Sequence, residues 1–269
     1  MKRCPILYSV IITFLVIGSI NCIAFLVLDL CPPFPTDKPS MYFLCQIIGA
    51  GLLILLSYKH IKSVFACGTK GFWRGLFLGW PFIVASIVTL VGSLLMTGGA
   101  VFVFPTPQEI VLFMIMILFV GIIEEVLFRG VVLKCILKKY GNSNCGIIAS
   151  IVISSFIFGL AHIVTLVIHP QLIMYTITQV IYCTLAGLLF SIVYLRCQNI
   201  FVLIVLHSVI DMSSLLPVLF YPSNKLVLTS DTGFAELVTY VLLHIPFVIV
   251  SVVYAKKLMA ESCAEAQVV

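Results

Sequence analysis

The chain has 269 residues, of which 62% are hydrophobic and only 9% are charged, with a mean hydropathy of +1.25 and a formal net charge of +5. Ordinary soluble domains carry about 25% charged residues, so this composition excludes a soluble enzyme, a disordered tail, a collagen-like fibre and a nucleic-acid-binding module. It indicates an all-α protein that lies mainly in lipid.

Eight stretches are apolar and long enough to cross a bilayer as helices, which takes roughly 20 residues each. In chain order they are 5–28, 41–58, 72–97, 108–133, 146–168, 171–195, 198–220 and 234–255. Most of them are separated by short connections that contain proline, glycine or asparagine. We therefore predict a polytopic membrane helix bundle of about eight transmembrane helices, in which residues 1–269 form a single transmembrane domain.

The positive charges predict the orientation of this bundle. If the N-terminus is cytoplasmic and the spans alternate, only Lys38 and Lys225 lie on the outer side. The cations on the inner side are Lys2, Arg3, Lys59, Lys62, Lys70, Arg74, Lys134, Lys138, Lys139, Arg196, Lys256 and Lys257. The bias predicts two cytoplasmic termini and makes the lipid bilayer, rather than a nucleic acid, the expected partner of the basic residues.

Four charged residues and two histidines lie well inside the predicted spans. They are Glu124, Glu125, Arg129, His162, His207 and Asp211. Insertion scales put the cost of a charge at the centre of a membrane helix at about 2.5–3.5 kcal/mol. Residues kept at that cost usually face the interior of the bundle and mark a functional site.

The spacing of these residues gives each of three spans a polar stripe. Glu125 and Arg129 are four residues apart, so they share a helix face and can pair. Glu124 points about 100° away from Glu125 around the helix. His207 and Asp211 also share a face. At 1.5 Å per residue, the polar groups lie roughly 12–24 Å from the inner ends of their spans and can meet at one level.

Three short segments resemble the motifs of the CPBP family of membrane proteases, also called Abi, which includes the type II CAAX prenyl endopeptidases. Residues 124–129 match E-E-x-x-x-R, residues 158–162 match F-x-x-x-H, and residues 207–211 match H-x-x-x-N or D. The resemblance makes 108–213 a motif-bearing catalytic core. Residues 1–100 and 234–269 would then be supporting helices.

The resemblance implies an intramembrane endopeptidase that hydrolyses a peptide bond with a glutamate as general base. Carried over to this chain, Glu124 would be the base and His162 would help to hold the water. His207 and Asp211 would stabilise the oxyanion or protonate the leaving group. These four are the predicted catalytic residues.

Glu125, Arg129 and Phe158 are predicted to support the catalytic residues. Arg129 would pair with Glu125 and brace the helix. On spacing alone, however, either carboxylate of the adjacent pair Glu124 and Glu125 could be the base.

The sequence leaves the metal dependence of the reaction open. Members of the family have been described both as metalloproteases and as metal-independent glutamic proteases. The chain contains no H-E-x-x-H motif, and we expect no obligatory cofactor. If a divalent metal such as zinc is used, its expected ligands are Glu124, His162 and His207.

The expected partner is a membrane-embedded or lipidated peptide or protein substrate. Short loops indicate a multi-pass protein of a bacterial plasma membrane, and favour peptide processing, bacteriocin immunity or regulation over CAAX trimming. One alternative is a non-catalytic membrane scaffold or immunity protein of the same fold. Another is a small transporter with a proton relay through Glu124, His162 and Asp211, which the absence of an inverted repeat in the sequence disfavours.

Overall fold

The computed structural model describes residues 4–30, 47–56, 64–65, 68–95, 97, 100–221 and 233–267. Within these residues the long regular elements are helices, and the predicted all-α class is confirmed. We number the helices α1 Pro5–Leu30, α2 Ile47–Leu56, α3 Phe72–Leu78, α4 Trp80–Leu95, α5 Pro107–Tyr140, α6 Asn144–Ala161, α7 Val164–Ile168, α8 Ile173–Cys197, α9 Ile200–Phe220 and α10 Phe234–Gln267.

Five segments of the described chain are long and apolar enough to cross a membrane. They are Pro107–Tyr140, Asn144–Val167, Ile173–Cys197, Ile200–Phe220 and Leu237–Ala260. The pair α3 and α4 makes a sixth if it is one broken span. The described residues thus form a helix bundle with five or six helices that could span a membrane, whereas the number eight and the positions of the termini stay predictions. Much of the predicted span 41–58 lies outside the described residues.

The predicted span 72–97 is not one straight helix. It breaks at Gly79, where the axes of α3 and α4 differ by 56°. Two sequence features explain the break. Pro81 has no N–H to donate to the preceding turn, and a Cβ on Gly79 would collide with the side chain of Leu206 on α9. The bend therefore lets this region approach α9 closely.

Helix α5 is longer than the predicted span 108–133. It begins with a capping box, in which Thr106 accepts from the Glu109 N–H and the Glu109 carboxylate accepts from the Thr106 N–H. It continues to Tyr140, and Lys138 and Lys139 in its last turn complement the negative end of the helix dipole. A π-helical segment, Val126–Leu133, interrupts it.

Small residues bring the motif-bearing helices into close contact. A Cβ on Gly159 of α6 would collide with Thr184 of α8. A Cβ on Gly121 of α5 would lie 2.8 Å from Oγ of Ser208 on α9. Helix α6 consequently packs closely against α8, and α5 against α9, and residues of all four helices belong to one hydrophobic core.

Several cationic residues lie at one end of the bundle. Asn199 caps α9 and also donates from Nδ2 to the carbonyl of Lys70, at 2.8 Å. Arg196 lies over the ring of Tyr254, and Lys134 lies over the ring of Tyr194. The position of these cations at one end of the bundle agrees with the sidedness of charge that the sequence predicts. That this end faces the cytoplasm stays a prediction.

Candidate active site

The centre of the site is a buried ion pair on α5. The Glu125 side chain is 0% exposed and the Arg129 side chain 1%, and Arg129 Nη1 donates to Glu125 Oε1 at 2.9 Å. Arg129 Nη2 also donates to the carbonyl of Gly187 on α8, at 3.4 Å. The guanidinium carbon lies 4.6 Å from the ring centroid of Phe158 and 4.9 Å from that of Phe190. A buried cation is thus balanced by one carboxylate and held between two aromatic rings.

The π-helical segment begins directly after Glu125. All eight of its residues, Val126–Leu133, are buried, including Arg129. A π-turn contains more residues than an α-turn, and such segments are frequent at functional sites. The hydrophobic side chains that follow the two glutamates therefore belong to the core of the bundle.

His207 on α9 joins the buried pair to the second glutamate. Its Nδ1–H donates to Glu125 Oε1 at 2.6 Å, because a carboxylate can only accept. Its Nε2 lies 3.6 Å from Glu124 Oε2 and 3.6 Å from Asp211 Oδ2. One nitrogen is therefore anchored in the core, and the other faces two carboxylates.

The two neighbouring glutamates differ in accessibility. The Glu124 side chain is 19% exposed and the Asp211 side chain 25%, against 0% for Glu125. Glu125 Oε1 is shared between Arg129 and His207. Of the two carboxylates, Glu124 is thus the more accessible one, and which of them is the base stays a prediction.

His162 lies at the end of α6 and is not joined to the carboxylates. Its Nδ1–H donates to the carbonyl of Phe158 at 3.1 Å, and its Nε2 lies 3.6 Å from Cys183 Sγ on α8. In the described part of the chain, no hydrogen bond or ion pair connects His162 with Glu124, His207 or Asp211. The structure thus brings together three of the four predicted catalytic residues and leaves His162 one ring away.

Phe158 is that intervening ring. Its centroid lies 5.4 Å from the His162 ring and 6.2 Å from the His207 ring, with edge-to-face geometry in both cases. The same ring contacts the Arg129 guanidinium and, at 4.8 Å, the ring of Phe128. The aromatic residue of the second motif is therefore in contact with residues of all three motifs.

The predicted metal ligands do not form a metal-binding set. Among the described residues, no group of three or more His, Cys, Asp or Glu side chains is arranged to hold a metal ion. Glu124 and His207 are close together, but the Nε2 of His162 faces the thiol of Cys183. We therefore derive no step through a metal.

Sequence reasoning missed the contribution of α8. Cys183, Gly187 and Phe190 contact the site residues, and their spacing of four and three residues places them on one face of the helix. None of the three is charged, so a search for charges inside spans passes over them. The small residues at positions 183 and 187 were the available signal, since such spacing marks a close helix contact in membranes.

Comparisons with known proteins agree with the three motifs. Residues 106–213 match the family model described as type II CAAX prenyl endopeptidase Rce1-like. The matched segment contains all the predicted site residues and covers less than half of the chain. A search of curated proteins found no match.

Proposed function

We propose that this chain, whose Rce1-like segment 106–213 is consistent with a CPBP family membrane protease, is an intramembrane endopeptidase of the CAAX type with Glu124 as its general base. The observation that carries the proposal is the pairing of an accessible Glu124 with the Nε2 of His207, whose other nitrogen is fixed to the buried Glu125. A base must reach the water it deprotonates, and Glu125 is enclosed by its own partners.

In the proposed reaction, Glu124 removes a proton from a water molecule, and the water oxygen attacks the carbonyl carbon of the scissile peptide bond. The carbonyl oxygen becomes an oxyanion. His207, protonated on both nitrogens, donates Nδ1–H to Glu125 and offers Nε2–H to this oxyanion. When the tetrahedral intermediate collapses, the C–N bond breaks and the protonated Glu124 gives its proton to the leaving amine. The products are a carboxylic acid and an amine, and proton transfer in water then gives a carboxylate and an ammonium group.

Asp211 and His162 have secondary roles in this proposal. Asp211 lies beside Nε2 of His207 and helps to balance the charge of the imidazolium. His162 can help to hold the water only when its Nε2 exchanges Cys183 for that water, because the thiol now faces this nitrogen. We therefore expect a smaller catalytic contribution from His162 than from His207.

The proposed substrate is a membrane-embedded or lipidated peptide or protein. The matched family is described by its action on prenylated CAAX substrates, and a multi-pass membrane enzyme can receive a lipid-anchored peptide from within the bilayer. Within this class, the family description favours a prenylated substrate, whereas loop length favoured peptide processing, bacteriocin immunity or regulation over CAAX trimming. The assay therefore includes a prenylated and an unprenylated probe.

The experiment measures cleavage by the full chain in phospholipid vesicles. The probes are an internally quenched peptide ending in S-farnesylcysteine and three further residues, and the same peptide without the farnesyl group. We expect cleavage by the wild type and a loss of about 10³-fold in Glu124→Gln, within the range for removal of a general base. Preference for the farnesylated probe would identify the CAAX-type substrate.

Glu109→Gln is the matched control, because Glu109 lies on the same helix, is exposed and belongs to the N-terminal capping box. It should retain wild-type cleavage. Equal cleavage by wild type and Glu124→Gln would contradict the proposal and favour a non-catalytic membrane protein of the same fold.

A further inference from the structure

Phe190 lies on α8, which contributes no charged residue to the candidate site. Its ring is 2% exposed. It stacks on the imidazole of His207, with centroids 5.5 Å apart and planes inclined by 21°. The guanidinium carbon of Arg129 lies 4.9 Å from the same centroid. One buried ring thus contacts both nitrogen-bearing side chains that bind Glu125.

The hydrogen bonds of His207 do not by themselves fix its ring. The short contact runs from Nδ1 to Glu125 Oε1, and a single hydrogen bond still allows the imidazole small rotations about its Cβ–Cγ bond. The distances from Nε2 to Glu124 and Asp211 are both 3.6 Å, too long for strong orienting hydrogen bonds. A ring stacked on the face of the imidazole restricts this rotation, because stacking has a preferred plane.

The position of Phe190 is itself fixed by the surrounding core. Its ring stacks on Phe82 of α4, with centroids 3.9 Å apart and planes inclined by 18°. Phe82 is completely buried and also contacts Phe247 of α10. Phe190 is therefore held by a rigid aromatic neighbour, as a residue that orients a catalytic side chain must be.

We propose that Phe190 is a positioning residue for the reaction: its ring holds the imidazole plane of His207 so that Nε2 faces Glu124 and Asp211. This inference rests on the proposed function, since the orientation of His207 matters for hydrolysis only if His207 takes part in it. The inference makes a residue outside the three motifs a positioning residue for His207. It also makes the reaction depend on α8, which carries none of the three motifs.

The test compares three variants in the vesicle assay with the farnesylated probe. Phe190→Leu removes the ring, and we expect kcat to fall about tenfold with KM unchanged, since small misplacements in an active site cost up to about 10²-fold. Phe190→Tyr keeps a ring and should restore most of the turnover. Phe113→Leu makes the same truncation at a buried phenylalanine of α5, eleven residues before Glu124, and should lower the unfolding midpoint without lowering kcat. If Phe190→Leu does not fold, Phe190→Met also removes the ring, and its unbranched, flexible side chain can adapt to the space.

A second readout does not depend on activity. In the chain labelled at its histidine rings, the NMR signal of His207 can be identified by its loss in His207→Gln. Phe190→Leu should move this signal because the ring current of Phe190 is gone, whereas Phe113→Leu should move it much less. Equal effects of Phe190→Leu and Phe113→Leu on kcat and on the His207 signal would overturn the inference. If the wild type cleaves neither probe, the proposed function fails, and an unmoved His207 signal in Phe190→Leu would separately refute the stacking.

Discussion

Two adjacent residues on α5 face two different regions of the molecule. Glu125 lies in a closed region, where Arg129, Phe158 and Phe190 surround its ion pair. Glu124 lies in an open region, beside Asp211 and the Nε2 of His207. The closed region has the features of a structural brace and the open region those of a reaction site. Neighbours in sequence can therefore divide stability and chemistry between them, because a helix turns about 100° per residue.

The largest effect is expected from breaking the closed region. Arg129→Met removes the guanidinium partner of the buried Glu125 and should lower the free energy of unfolding by about 3–5 kcal/mol, the cost of removing one partner of a buried pair. The double variant Glu125→Gln and Arg129→Met should recover part of the loss, because both charges of the pair are then absent from the core. Denaturant unfolding in mild detergent measures both. Unchanged stability in Arg129→Met would show that the closed region is not a brace.

The next effect concerns the residue that joins the two regions. His207→Gln should reduce turnover by about 10²-fold, in the range for removal of an acid–base group. His244→Gln is a suitable control, since His244 donates to its own helix at the Tyr240 carbonyl and lies outside the site. A comparable loss in both variants would mean that His207 has no special role in cleavage.

A smaller effect is expected in the open region from Asp211→Asn. The asparagine keeps an oxygen but not the charge that balances His207, so turnover should fall about tenfold, which corresponds to about 1.4 kcal/mol of transition-state stabilisation. The unfolding midpoint should not change, since the side chain is 25% exposed. A large loss of stability would instead place Asp211 with the closed region.

The smallest effect is expected from chelation. Incubation with EDTA, followed by assay in metal-free buffer, should leave turnover unchanged because the described residues form no metal-binding set. Loss of activity on chelation and its recovery with zinc would contradict this prediction. It would also mean that His162 leaves Cys183 to join Glu124 and His207 in the working enzyme.

The sequence predicts those features that depend on helical spacing. The ion pair between Glu125 and Arg129 and the approach of His207 to Asp211 follow from positions four residues apart on a helix. Charged residues are rare in the apolar spans of this chain, so the few that are present identify the helices that share a site. Placing a charge inside a membrane helix is costly, and such residues usually have a function.

The remaining features depend on contacts between helices, which spacing within one helix does not encode. The thiol of Cys183 facing His162 and the ring of Phe190 on His207 arise from the packing of α8. The π-helical segment after Glu125 has no sequence signal that we could identify. The break at Gly79 was predictable in part, because Pro81 follows it, but its angle depends on the contact with Leu206.

The most direct test of the division between the two glutamates is a parallel measurement of turnover and unfolding for Glu124→Gln and Glu125→Gln. We predict that Glu124→Gln loses about 10³-fold in turnover and unfolds like the wild type. Glu125→Gln should unfold more readily, because it removes one partner of the buried pair, while its folded molecules keep more turnover than Glu124→Gln. The reverse result, an active Glu124→Gln beside a stable and inactive Glu125→Gln, would contradict the account.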